Sequence, residues 1–528
     1  MGTTTSCLQC SSNPSSLQLP VPIGVLQKVS QEVVTTTLGA APVPGACCQN
    51  RNQMEFFRAW KAALLVLLVS VLVNVYYHRV VLDVKVQVDW DACWAAPHDE
   101  LKLCRQSPSV KDTIEAVPIH VEQGQLELLQ RKLRDRIKPM WSMVGIQARS
   151  KESWSDGIDV DYLEGVLQFW EQDYKWREAE NELNGMHPHQ ALIDGLKVRY
   201  LHVKTQTSHR TISLQKGAST RITKANTSVP LLLLHGWPGS VYEFHKLIAD
   251  LQTRDTNYEF VVPFLPGYGF SQGAQRPGLN VCAIAVIMSK LMRALGKPSY
   301  IVQGGDWGSF IAHCLQDITP PGEVIGMHIN MPIVSLPLWT PFYAYLFETD
   351  PTEIAKADIL AIPKKLFETT PYLLQQATRP KTLGVGLEDS PVALAAWVLD
   401  KFKLWTDAKS NITNQQLVTN LMLYWLPQAQ TSSAMLYRES FGRAPANLFT
   451  VLFQKPVHCK TGISQFPYEI MPPPAFTLST RYKNIVTYHK ATRGGHFAAL
   501  EQPHALAEHI HEFVQALLYP QGTNNDIL

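Results

Sequence analysis

Five residues constrain the fold of this 528-residue chain more than any others: Gly304-Gly305-Asp306-Trp307-Gly308. They follow the strand-like run Tyr300 to Gln303 and precede the helical run Ser309 to Gln316. A reactive side chain held in a turn between strand and helix needs small flanking residues. Its own backbone is strained, and the helix must leave close to the strand. Here the central residue is a carboxylate. It needs no base to activate it, and its attack on carbon gives an ester that water must then open. An Asp that merely capped the following helix would not require glycines on both sides.

The text around this turn reads as strands alternating with helices. Val198, Tyr200 and His202 alternate with Arg199, Leu201 and Val203, and RTISLQ (residues 210–215) and the apolar run VPLLLL (residues 229–234) follow as strands. Next come helical text from Val241 to Leu251, a strand from Phe260 to Phe264, a helix from Ala283 to Leu295, and the strand feeding the turn. The alternation lapses between about 332 and 445, which is mostly helical, and resumes with strands at Lys455 to Cys459 and Ile485 to His489. This pattern predicts an α/β class fold: one largely parallel sheet, covered on both faces and interrupted by a helical insertion. Ahead of it, Leu126, Leu129, Leu133 and Ile137, then Leu163, Val166, Leu167 and Trp170, recur at helical spacing.

Two further junctions carry chemistry. His235-Gly236-Trp237-Pro238-Gly239 follows the run of leucines, where a loop backbone N–H can face the one after the nucleophile. The Trp237 and Trp307 N–H groups are therefore the expected oxyanion donors, and His235 reads as a structural histidine. Arg493-Gly494-Gly495-His496-Phe497 follows the last strand, where a general base belongs. A nucleophile–acid–base chain order then requires a carboxylate after the preceding strand. Between Ser440 and His496 the only acidic residue is Glu469; Glu323 and Glu348, from earlier strands, are poor stand-ins.

An Asp nucleophile with a His base restricts the substrate to electrophiles opened at carbon, chiefly epoxides and alkyl halides. The leaving group separates the two. An epoxide oxygen needs a proton donor, a role that suits phenols, whereas a halide needs indole or amide N–H groups. The insertion offers Tyr372, Tyr424 and Tyr437 for the first and Trp397, Trp405 and Trp425 for the second, so these residues leave the choice open.

The 47 basic and 45 acidic residues nearly cancel, which gives no electrostatic case for a nucleic-acid partner. Charged residues make up 17%, below the usual ~25%. Part of the dilution lies in residues 1–50, whose only charges are Lys28 and Glu32, and part in the uncharged stretch 62–77. That stretch, interrupted only by Ser70 and Asn74, spans about 24 Å as a helix. Lys61 and Arg79 can snorkel to extend it toward the ~30 Å hydrocarbon core, so a single membrane anchor is expected. Arg51, Arg58 and Lys61 on one side and Arg79 and Lys85 on the other do not fix its orientation. The nine cysteines form no disulfide framework; only Cys282, Cys314 and Cys459 fall in core-like text. No Cys/His cluster has zinc-ligand spacing, so neither metal nor cofactor is expected.

Six segments in order, LLLLHGWPGSVYEF, FLPGYGFS, VQGGDWGS, DSPVALAAW, LMLYW and RGGHFAALEQP, closely resemble the microsomal epoxide hydrolases, including the insect juvenile hormone epoxide hydrolases. The resemblance runs from about Asp112 to Leu518. It implies an α/β-hydrolase fold with a helical lid, an N-terminal helical meander and one N-terminal transmembrane helix. The expected division is a tail (1–57), an anchor (58–79), the meander (80–195), the core (196–331 and 446–520) split by the lid (332–445), and a C-terminal tail (521–528). By the same resemblance Asp306 is the nucleophile, His496 the base, Glu469 its acid partner, and Tyr372 and Tyr437 the proton donors, with Tyr424 and Trp425 packing the lid. The implied activity is hydrolysis of lipophilic epoxides, xenobiotic or juvenile hormone, to diols by water. The implied location is the endoplasmic reticulum membrane, catalytic domain on the cytosolic side. A haloalkane dehalogenase-like hydrolase and a non-catalytic scaffold are the alternatives.

Overall fold

The computed structural model describes residues 88–94, 109–136, 154, 156–205, 228–334, 369–470 and 472–520. The expected tail, the anchor at 58–79, the RTISLQ strand and the C-terminal tail lie outside the described residues. Among the described residues no helix is long and apolar enough to cross a membrane.

The strands are β1 (Glu115–Ala116), β2 (Pro188–Ile193), β3 (Leu196–Lys204), β4 (Val229–Leu234), β5 (Tyr258–Pro263), β6 (Tyr300–Gly304), β7 (Val324–Ile329), β8 (Thr461–Gln465) and β9 (Ile485–Lys490). They form one sheet in the order β1-β2-β3-β5-β4-β6-β7-β8-β9. Pairing is parallel from β5 through β9 and antiparallel from β1 to β5. The central strands are apolar without alternation because both faces are covered. Leu231, Leu232, Leu233 and Leu234 are all 0% exposed, each contributing roughly 1.5–3 kcal/mol by burial. Helices Val281–Ala294 and Asp306–Ile318 pack on each other, as do His245–Leu251 and Pro503–Leu518.

Three features differ from expectation. The sheet starts ahead of residue 196, because β2 pairs with β3 across a two-residue hairpin at Asp194-Gly195, both at positive φ (51° and 80°). Asp-Gly is a favoured pair for such a turn. The strand expected at Lys455 to Cys459 lies instead at Thr461–Gln465. Val457 makes only an isolated bridge to Tyr482, whereas the polar text of β8 is wholly buried. Its side chains find internal partners: Thr461 Oγ1 donates to Cys459 O (2.9 Å), and Ser464 Oγ lies between His328 (3.1 Å) and His509 (3.0 Å). Hydropathy cannot signal such a strand. Finally, Cys282 and Cys314 form a disulfide that joins two adjacent helices.

Between β7 and β8 the described chain forms helices Pro371–Thr378, Pro380–Asp389, Pro391–Trp405, Asn414–Trp425, Gln430–Tyr437 and Ala446–Phe453. The helices preceding β2 pack on this insertion: Trp170 Nε1 donates to Met422 Sδ (3.2 Å), and Tyr174 shares a hydrogen bond with Thr419 (3.1 Å). The stripe Leu163, Val166, Leu167 and Trp170 is buried in helix Val160–Gln172, whose Asp159 cap accepts from the Tyr162 N–H. Leu129 and Leu133 are buried in helix Gln123–Arg134, while Leu126 is only partly covered.

Candidate active site

In an open sheet, ligands bind beyond the carboxyl ends of the strands where the order reverses. Here that point lies between β4 and its neighbours β5 and β6. Asp306 sits at the end of β6 with φ +46°, a strained conformation for a non-glycine residue. The close approach of helix to strand explains Gly308, where an added Cβ would lie 2.0 Å from Leu234 O. It also explains Gly236, where a Cβ would lie 2.2 Å from Asp306 Oδ1. From the loop after β4 the Trp237 N–H donates to Asp306 Oδ1 at 2.8 Å. Trp307 lies in the first turn of helix Asp306–Ile318, where backbone N–H groups have no intrahelical acceptor and no side chain caps them. His235 is neutral and structural: Nδ1 donates to Gly236 O (3.0 Å), Nε2 accepts from Leu265 N–H (3.2 Å), and burial pushes it down to about 4.

His496, from the loop after β9, lies between two carboxylates. Its Nδ1 meets Glu469 Oε1 at 2.5 Å and its Nε2 lies 3.5 Å from Asp306 Oδ2. Burial opposes charge on the imidazole, but Glu469 and Asp306 outweigh it and raise His496 well above its ordinary value. Glu469, 1% exposed at its side chain, also accepts from the Ile470 N–H (2.8 Å).

The histidine loop is tied to the insertion by Trp405 and by two carboxylates, Asp407 and Glu501, that the sequence did not single out. The His496 N–H donates to Trp405 O (2.9 Å). Asp407 accepts from Arg493 Nε (2.6 Å), the Gly494 N–H (3.1 Å) and the Lys409 N–H (2.9 Å). Against the cost of burial, these donors hold it down to about 2. Glu501 accepts from the Asp407 and Phe497 N–H groups (2.8 and 3.0 Å) and from Ser410 Oγ (2.9 Å), yet burial pushes it up to about 7. Asp407 lies in the insertion, outside the strand-to-helix junctions that carry the other site residues.

The insertion covers Asp306 with aromatic rings. Tyr372 stacks on Trp237 (5.3 Å between centroids, 12° between planes), and Tyr437 stands edge-on to Trp307 (4.6 Å) and Trp237 (5.8 Å). The two tyrosine rings are 6.0 Å apart. The Tyr437 hydroxyl lies beside the Tyr372 hydroxyl and the Trp307 indole, and burial raises both phenols, so both are neutral donors. Tyr424 differs: its hydroxyl donates to Gly239 O (2.8 Å). Trp405 packs against Tyr372 (5.0 Å) and His496 (5.2 Å), Trp425 is buried, and Trp397 lies under Lys401 (5.2 Å).

Comparison with known proteins points the same way. Residues 114–244 match the protein family described as Epoxide hydrolase N terminus, and residues 229–409 match the alpha/beta hydrolase fold. The chain is 35% identical over 427 residues to juvenile hormone epoxide hydrolase 1 of Ctenocephalides felis, covering 76% of this chain and 86% of that one. The chain belongs to the epoxide hydrolase family. Epoxide hydrolase 1 of Sus scrofa is 33% identical over 390 residues, covering 68% of this chain and 81% of the pig protein. The crystal structure of juvenile hormone epoxide hydrolase from the silkworm Bombyx mori matches with TM-score 0.69 and 30% identity, over 82% of this chain and 99% of that one. The fold of this epoxide hydrolase is therefore that of the α/β hydrolases, with the mixed sheet described above.

Proposed function

We propose that the protein converts lipophilic epoxides to vicinal diols through an ester on Asp306, which water activated by His496 then opens. The observation that carries this reading is one carboxylate held on opposite sides: Trp237 N–H on Oδ1, and His496 near Oδ2. Oδ2 attacks the oxirane carbon while Tyr372 and Tyr437 donate to the ring oxygen and protonate it. Oδ1 becomes the ester carbonyl oxygen, already beside its N–H donor. Attack of water on Cγ then puts the developing negative charge on Oδ1, against the Trp237 and Trp307 N–H groups. His496 takes the water proton, Glu469 stabilises the imidazolium, and the diol leaves carrying the former Oδ2. Ester formation removes the Asp306 charge, one of the two that favour imidazolium. His496 is thereby more readily neutral, the form that can accept a proton, at the stage that needs it.

In this reading the helical insertion is the lid, and its aromatic lining suits apolar substrates. Juvenile hormone-type terpenoid epoxides and xenobiotic aromatic epoxides are the two candidate classes. Tyr437→Phe should lower the rate of ester formation by about 10²-fold, the lower end for general acid catalysis, and Tyr372→Phe by less if the other phenol substitutes. Stopped-flow measurement of the alkylation phase checks this. Unchanged rates in both variants would remove the tyrosines from the mechanism. The indole N–H of Trp405, without a partner among the described residues, is what a dehalogenase would use, so halide release from an alkyl halide is the outcome that would favour that alternative.

Residues 58–79 are proposed as a single span in the endoplasmic reticulum membrane, with the catalytic domain facing the cytosol. The Cys282–Cys314 bridge argues for the other face, because disulfides persist in oxidising compartments. Protease added to sealed microsomes decides: digestion of the catalytic domain is expected, and complete protection until detergent is added would reverse the orientation.

A further inference from the structure

A cavity beside Asp306 and His496 is lined also by Glu243, Gln303 and Asn330, and neither Tyr372 nor Tyr437 reaches it. It therefore approaches the nucleophile from a different side than the phenols do. Two polar groups in it have no assigned role. Gln303 is 1% exposed; its amide nitrogen donates to Asn330 Oδ1 (2.9 Å), while its Oε1 is buried with no partner among the described residues. Glu243 lies on the short 3-10 helix Val241–Phe244, and its carboxyl folds back over Gly239, where an added Cβ would lie 2.9 Å from Oε2. Among the described residues none donates a hydrogen bond to it, and the charges acting on it are those of His496 and Asp306. Burial pushes it up to about 8, with His496 opposing and Asp306 adding to the rise. The residue is only partly covered, so its carboxyl opens into this cavity, where a bound water can reach it.

We infer that this cavity holds the hydrolytic water and that Glu243 is a positioning residue for the second half-reaction, a claim that rests on the ester mechanism proposed above. The water gives one proton to His496 Nε2 and makes its other O–H a hydrogen bond to the Glu243 carboxyl, so that its lone pair faces Cγ of Asp306. The new bond is water oxygen to Cγ, and the bond broken is Cγ to the former Oδ2. The departing alkoxide recovers its proton from His496, the second water proton stays on the regenerated Asp306 carboxyl and returns through solvent to the phenolate left by ring opening, and Glu243 neither gains nor loses one. The same chemistry gives Glu243 no part in epoxide opening.

The test separates the two half-reactions. Glu243→Gln keeps an amide oxygen as acceptor, and Glu243→Met removes it. With excess epoxide and a rapid acid quench, intact-protein mass should show steady-state ester rising from wild type through Gln to Met. The kcat of the Met variant should fall about tenfold or more while the alkylation rate holds, because misplacing a reactant costs up to about 10²-fold. If the Met variant does not fold, ester above the wild-type level in Glu243→Gln supports the assignment and ester at the wild-type level overturns it. His496→Gln is run alongside: ester there but not in the Glu243 variants defeats only the role of Glu243, and ester in neither defeats the mechanism beneath it.

Discussion

Asp306→Ala should lower turnover by at least about 10⁴-fold, the scale seen when a covalent nucleophile is removed from a catalytic triad. The loss should appear in kcat while the protein keeps its fold, since alanine removes the carboxyl, keeps the Cβ that the turn already accommodates and adds no atoms. The same variant should form no covalent adduct with any epoxide. Asp306→Asn is the sharper companion, because it preserves the Trp237 hydrogen bond to Oδ1 and removes only the nucleophile. Retention of more than about a tenth of wild-type activity in both, a loss of only ~1.4 kcal/mol in barrier terms, would place the nucleophile elsewhere.

His496→Gln should have a comparably large effect at a different step. Ester formation needs only Asp306 and the phenols, so alkylation should continue, while hydrolysis should slow by roughly 10³-fold or more, beyond the lower range for general base catalysis. Added substrate mass on intact protein measures it. The wild-type pH profile gives the second reading. In the free enzyme both carboxylates hold His496 above its ordinary value, whereas in the ester only Glu469 does. The kcat limb set by His496, which falls as pH is lowered, should therefore lie at lower pH than the titration of the His496 imidazole in the free enzyme followed by NMR. Coincident inflections would mean that Asp306 does not act on His496.

The sheet was legible where chemistry and hydropathy coincide. The leucines of β4 and the glycines around Asp306 are forced by double coverage and by the 2.0 Å approach at Gly308, and both leave local marks in the text. β8 left none, because Thr461, Ser464 and Gln465 are buried through hydrogen bonds rather than by being apolar. Asp194-Gly195 marks the turn of the hairpin before β3, but Pro188 to Ile193 carries no clear alternation to mark the strand itself. Within the insertion, Tyr372, Tyr424 and Tyr437 look alike as text. What separates them is tertiary: Tyr424 donates to Gly239 O, while Tyr437 stands edge-on to Trp307 beside Tyr372. Glu243 and Asp407 were invisible for the same reason, because their surroundings come from segments distant in the chain. Asp306 and His496 stand apart, since each lies in a glycine-flanked turn after a readable strand, and Glu469 because no other acidic residue lies between Ser440 and His496.

The ester itself is tested most directly by a single turnover in ¹⁸O-water with enzyme in excess over epoxide. The diol should carry no label from the first turnover, because its new oxygen is the former Oδ2, and the label should appear in the peptide containing Asp306. Labelled diol with an unlabelled Asp306 peptide would mean that water attacks the oxirane directly, and would contradict the account.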